Sequence, residues 1–104
     1  MMESGESWSD LKFVLVASNQ IPSSVTTRFG FSVSKRIGNA VIRNQMKRRL
    51  RSIVYSFDYD GGQDAVLIAR RGSIGCTYKE IERSVSGLLI KSGIATDRLE
   101  SKTR

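Results

Sequence analysis

The chain has 104 residues, with 17 Lys or Arg against 10 Asp or Glu, a single cysteine and no histidine. That length suits one domain with one modest core, and a composition 39% apolar and 26% charged is that of a globular protein rather than a disordered one. Without histidine, and with Cys76 alone, imidazole or paired-thiolate metal sites, internal disulfides and Ser-His or Cys-His catalysis are all excluded.

Met1–Asp10 is polar and acidic, lacks the basic and apolar regions of a signal peptide, and reads as a flexible leader. The longest apolar runs, Phe13–Ala17 and Ala65–Ala69, have five residues. A bilayer-spanning helix needs roughly 20, so the chain is expected to be soluble with no membrane partner. The lone Cys76 suits a reducing, cytoplasmic setting. Lys12–Ser18 is short, apolar and β-branched, and reads as a buried strand. Asn19–Thr27 holds the only proline, Pro22, and reads as a connection. Arg28–Lys35 alternates: Phe29, Phe31 and Val33 point one way, Gly30, Ser32 and Ser34 the other, as a strand of period two requires.

Gly38-Asn39 signals a turn, with Asn39 placed to cap the helix that follows. From Ala40 to about Phe57 the residues Ile42, Met46, Leu50, Ile53, Val54 and Phe57 form an apolar stripe. Asn44, Lys47, Arg48 and Arg51 take the opposite sector, while Arg43 falls inside the apolar arc, where only a first-turn position lets its stem reach outward. Asp58–Gln63 is a turn, and Asp64–Arg71 a third strand, apolar enough to be central. Thr77 and Glu80 form a capping box for a second helix, whose stripe is Ile81, Val85, Leu88 and Leu89 and whose end is Gly93. Ala95–Arg104 reads as a polar tail, which leaves residues 11–94 as the folded domain. The pattern predicts an α+β fold, with two helices on one face of a small mixed sheet. The other face carries Gly30, Ser32 and Ser34 and either meets water, binds something or is covered by an element this chain lacks.

Charge is distributed unevenly. From Leu11 to Phe57 there is no acid and there are nine bases, while the other residues hold eight bases and ten acids. Three readings of the Lys35–Arg51 cluster compete. A solvated helix face would intersperse both signs and gain from Glu–Lys pairs, which are missing here. A helix in the DNA major groove asks for a helix-turn-helix or a zipper, which this strand-rich pattern does not provide. Structured RNA suits the residue types best: Arg43, Arg48 and Arg51 can contact phosphates in bidentate fashion, and Asn44 can address sugar or base edges.

The string Ser32-Val-Ser-Lys-Arg-Ile-Gly-Asn-Ala-Val-Ile-Arg-Asn-Gln-Met-Lys-Arg-Arg-Leu-Arg51 resembles the signature of the protein subunit of bacterial ribonuclease P. Val66-Leu-Ile-Ala-Arg-Arg-Gly72 and the capped helix after it look like the same family's last strand and closing helix, so the likeness spans about residues 11 to 93. The resemblance implies a small, mostly antiparallel four-stranded sheet with two helices, the basic helix lying in a left-handed βαβ crossover. It implies a cofactor role: a large RNA working with Mg²⁺ cleaves precursor tRNA, and the protein, a monomer in the holoenzyme, helps bind the substrate for removal of its 5′ leader.

The motif falls on Lys35, Arg36, Gly38, Asn39, Ala40, Arg43, Asn44, Lys47, Arg48 and Arg51, with Gly38 and Ala40 in packing roles. Arg43, Asn44, Lys47, Arg48 and Arg51 would touch the catalytic RNA. The leader cleft would involve Ser32 and Ser34, with Lys35, Ala69, Arg70 and Arg71 at the strand ends. Two departures stand out. Gln45 occupies a place where the family usually has another Arg, and Arg49 beside it points from a different side of the helix. Met1–Asp10 is too short and polar for the aromatic-bearing helix with which the family normally begins, so either that helix is absent or the chain as given starts late, and Trp8 reads as incidental. The competing functions are a general structured-RNA chaperone and, with less chemistry behind it, a stand-alone nuclease.

Overall fold

The computed structural model describes residues 5–18, 28–59 and 64–98. The connection expected around Pro22, most of the turn expected after Asp58 and the last residues of the expected tail lie outside them. In chain order the elements are β1 (Gly5–Ser9), β2 (Phe13–Ser18), β3 (Arg28–Ser32), α1 (Ala40–Val54), β4 (Phe57–Tyr59), β5 (Asp64–Ala69), a 3₁₀ turn at Arg71–Ser73, α2 (Tyr78–Ser92) and β6 (Ala95–Arg98). The main sheet runs β1-β2-β5-β3, and β4 and β6 form a separate two-stranded sheet. β1–β2 and β2–β5 are antiparallel, and β5–β3 is parallel. The sheet is therefore mixed, with two of its three pairings antiparallel.

Side-chain alternation divides the sheet. Phe13, Leu15, Ala17, Ala65, Leu67 and Ala69 are buried on the side that meets Met46, Leu50, Ile53 and Val54 of α1 and Ile81, Val85, Leu88 and Leu89 of α2. Helix α1 lies over β3, and α2 over β1 and β2. The opposite face has no cover among the described residues. It is more apolar than expected: the register sets Val16 beside Val66, and Val14 beside Ile68, next to Gly30 and Ser32. β5 is central, as its composition suggests, yet Val66 is 38% exposed because no second layer among the described residues covers that side.

Both flanking segments depart from expectation. Residues 5–9 are a strand rather than a flexible leader. Trp8 pairs opposite Leu15 and packs against the core, so it is not an incidental tail residue. Gly5-Glu-Ser-Trp-Ser has a single large apolar side chain, too few to show a period; the partner strand decides its state. Asp10 makes the hairpin. Its carboxylate accepts from the Lys12 and Phe13 amides, each at 2.8 Å, and from the Ser84 hydroxyl of α2. Ala95–Arg98 is likewise a strand rather than tail, paired with β4, and Phe57 belongs to β4 rather than to the helix. α1 stops at Val54, where the Tyr59 hydroxyl donates to the Val54 carbonyl and Tyr59 packs against Phe29, ring centroids 5.2 Å apart.

The caps form as their residues predict. Asn39 accepts from the Ile42 amide at 3.0 Å. Thr77 and Glu80 exchange both capping-box bonds, and Gly93, at φ 80°, closes α2 in the left-handed region.

Burial pushes the Asp10 carboxyl up, but the Ser84 hydroxyl, the Phe13 and Lys12 amides and the Lys12 charge push it further down, so it lies below the ordinary aspartate range. A carboxyl lowered on folding stabilises the protein above its unfolded pKa, and that stability is lost as pH falls through the folded value. Asp10→Asn should therefore lower Tm at neutral pH, and the gap to the parent should close on acidification. Thermal unfolding from pH 7 to 2 checks this; a gap constant with pH would show that the charge plays no part.

Candidate nucleic-acid interface

After β3 the backbone turns through Val33–Asn39. Val33 and Ile37 are buried, so the intervening Lys35 and Arg36 are held outward. The Ile37 amide donates to the Ser34 carbonyl at 3.0 Å, and the Arg36 amide to Ser34 Oγ at 3.3 Å, which tightens this loop ahead of the Asn39 cap. A Cβ on Gly38 would stand 2.8 Å from Ile42 Cγ2, so the entry to α1 leaves no room for a larger residue without moving Ile42.

Within α1 the apolar stripe goes inward and rotates the cations out. Ile42 is a correction: it is 45% exposed, one turn too early to reach the core. Arg43, Lys47 and Arg51, four apart, run along the side nearer β3. Arg43 and Lys47 are half-buried, whereas Asn44, Arg48 and Arg51 are exposed. The place of Arg43 inside the apolar arc has a physical consequence: its Nε is shut off from solvent and makes no hydrogen bond among the described residues. The Arg51 guanidinium stands 5.8 Å from the centre of the Phe31 ring, a cation–π contact that steadies it over β3. That contact was hidden in the sequence, where Phe31 reads only as core.

Among the described residues, none of Arg43, Lys47, Arg48, Arg49 or Arg51 enters an ion pair. Arg28, by contrast, meets Asp64 at 3.0 Å on the open face. The field along α1 is therefore left for an external anion.

The residues expected in a leader cleft divide between two places. Ser32 stands on the open face of the sheet. Ser34, Arg36, Arg70 and Arg71 surround a hollow of about 340 Å³ beyond the ends of β3 and β5. Arg70 commits one guanidinium nitrogen to the Asp10 carbonyl at 2.8 Å, while Arg71 is exposed. Ala69 borders the same hollow, but its side chain faces the helices and is 7% exposed, so it belongs to the core rather than to a surface. A larger hollow, about 490 Å³, separates the β1–β2 turn from α2. It mixes Lys12, Arg83 and Lys91 with Asp10 and Glu80, and both acids are engaged in internal hydrogen bonds.

A profile of the ribonuclease P family matches residues 1–93. The chain belongs to the ribonuclease P protein family. It is 34% identical to the ribonuclease P protein component of Bacillus cereus strain Q1 over 96 residues, covering 90% of this chain and 83% of that one. A solved Staphylococcus aureus RNase P protein superimposes with a TM-score of 0.78 at 32% identity, covering 86% of this chain and 83% of its own. The Thermotoga maritima RNase P protein shares the fold, with a TM-score of 0.72 at 24% identity over 84% of this chain and 83% of that one. Ribonuclease P protein components are parts of an endoribonuclease, and membership implies a ribonuclease P RNA partner. No helix among the described residues is long and apolar enough to cross a membrane.

If Arg43, Lys47, Arg48 and Arg51 each neutralise a phosphate, the log–log dependence of RNA affinity on salt should carry a slope of about −3 from these four, at about −0.7 each. Replacing Arg48 and Arg51 together with alanine should flatten the slope by about 1.4. Titration of ribonuclease P RNA at several salt concentrations reads it directly, and an unchanged slope would remove these two from the phosphate contacts.

Proposed function

We propose that this chain is the RNA-gripping subunit of a ribonuclease P holoenzyme that removes 5′ leaders from precursor tRNA. The observation that carries this reading is the cation row along α1, unpaired among the described residues, in a member of this family. Phosphates entering the row displace condensed counterions, and the planar guanidinium groups of Arg48 and Arg51 can each hold two phosphate oxygens. Asn44 supplies both a donor and an acceptor for sugar or base edges. Lys35 and Arg36 on the entry loop, with Asn39 beside them, extend the positive surface toward the hollow at the strand ends.

We assign the 5′ leader to the open sheet face and that hollow. Ser32 and the neighbouring aliphatic side chains offer a shallow floor, and Ser34, Arg70 and Arg71 a polar, positive rim. A floor of Ser32 and short aliphatic side chains accommodates variable sequence, because the contacts run to backbone and base faces rather than to particular base edges.

We place bond breaking on the RNA. The chain has no histidine to act as a base. Asp10 and Glu80 are occupied with a hairpin and a helix cap. Among the described residues no three acidic or thiol side chains gather as a protein metal site would need. Mg²⁺, held by the RNA, would activate water and stabilise the leaving oxygen. The protein's own contribution is to neutralise phosphate repulsion between two RNAs, acting as a monomer in the cytoplasm.

Cleavage of precursor tRNA by the chain alone, by the catalytic RNA alone and by both together at low Mg²⁺ tests this. Only the mixture should release leader efficiently. Cleavage by the chain alone would overturn the division of labour, and absence of any stimulation would favour a general RNA chaperone.

A further inference from the structure

Where α1 meets the start of α2 there is a groove of about 290 Å³ lined by Gln45, Arg48, Arg49, Ser52 and Tyr78. Tyr78 is the first residue of α2 and is 39% exposed. Its hydroxyl donates to Ser52 Oγ at 3.1 Å, which holds the ring against α1. Arg48 is exposed, Arg49 is half-buried, neither has a carboxylate partner among the described residues, and no acid lines the groove. An aromatic ring tethered by its hydroxyl in a groove that two arginines also line is an arrangement suited to an unpaired base: the ring supplies a stacking surface and the arginines meet the flanking phosphates.

We propose that Tyr78, with Arg48 and Arg49, forms a nucleobase-stacking site that extends the α1 interface onto α2 and takes one unpaired nucleotide of the partner RNA. The site rests on the reading of α1 as the RNA-binding helix. It also gives Arg49 a use, although it points away from the cation row. A duplex fits the groove poorly, because its bases are already stacked on one another; a bulged or looped base presents a free face. A peptide partner is disfavoured, since two arginines beside a single ring call for phosphate.

The test uses the full chain and ribonuclease P RNA. Tyr78→Leu keeps apolar bulk against α1 and removes the aromatic face, whereas Tyr78→Phe keeps the face and removes only the hydroxyl. The leucine variant should bind RNA about 5- to 150-fold more weakly, the span that corresponds to about 1–3 kcal/mol for one base–aromatic stack. Its salt slope should match the parent's, since no charge is lost. The phenylalanine variant should stay within a few-fold of the parent, and thermal unfolding should confirm that both are folded. A photoreactive phenylalanine at position 78 should crosslink to an unpaired nucleotide. Parent-like affinity of the folded leucine variant, or crosslinks confined to paired regions, would overturn the proposal. Failure of the parent chain itself to bind the RNA would instead overturn the function assigned to α1.

Discussion

The parallel pairing of β3 with β5 is the constraint on which the rest depends. Parallel neighbours cannot be joined by a tight hairpin, so the chain between Ser32 and Asp64 has to cross back over the sheet. α1 is that crossover. One side of it must bury Met46, Leu50, Ile53 and Val54, and whatever lies opposite is driven into solvent. The cationic residues are thus displayed by the same burial that holds the helix down. Exposed positive charge and core burial share one element, on opposite faces.

This arrangement has a local cost. Arg43, Lys47 and Arg51 repel one another at helical spacing, and Arg43 adds a shielded nitrogen with no hydrogen bond among the described residues. The molecule offsets this in part through the Asn39 cap and the stack of Arg51 on Phe31. At Asp10, by contrast, one carboxylate ties the β1–β2 turn to α2. The cations of α1, without ion pairs among the described residues, lie on the surface proposed to meet RNA.

Legibility followed the strength of local pattern. The α1 stripe, both caps and β2 were readable because each uses several residues at a fixed period or spacing. Ile42 was misplaced because a helical wheel knows angles but not how far the neighbouring strand extends toward the first turn. β1, β4 and β6 were missed because strands of three to five residues with few apolar side chains are selected by their partners. In the expected cleft, Ser34, Arg70 and Arg71 do come together, but Ala69 does not share their exposure: the period-two alternation of β5 turns it to the helices. Tyr78 gave no signal at all, since a lone aromatic behind a capping threonine reads as ordinary packing.

From the sequence alone came the charge asymmetry, the amphipathic basic helix with its cap, the absence of histidine chemistry and the family signature. All of these are properties of residue identity and spacing along one chain. Tertiary structure alone decided which cations are exposed, that Arg51 rests on Phe31, that Arg49 and Tyr78 share a groove, and that the open sheet face is floored by valine and isoleucine. Each of these is a contact or an exposure between segments far apart in the chain, set by strand register and helix packing, for which no local pattern carries information.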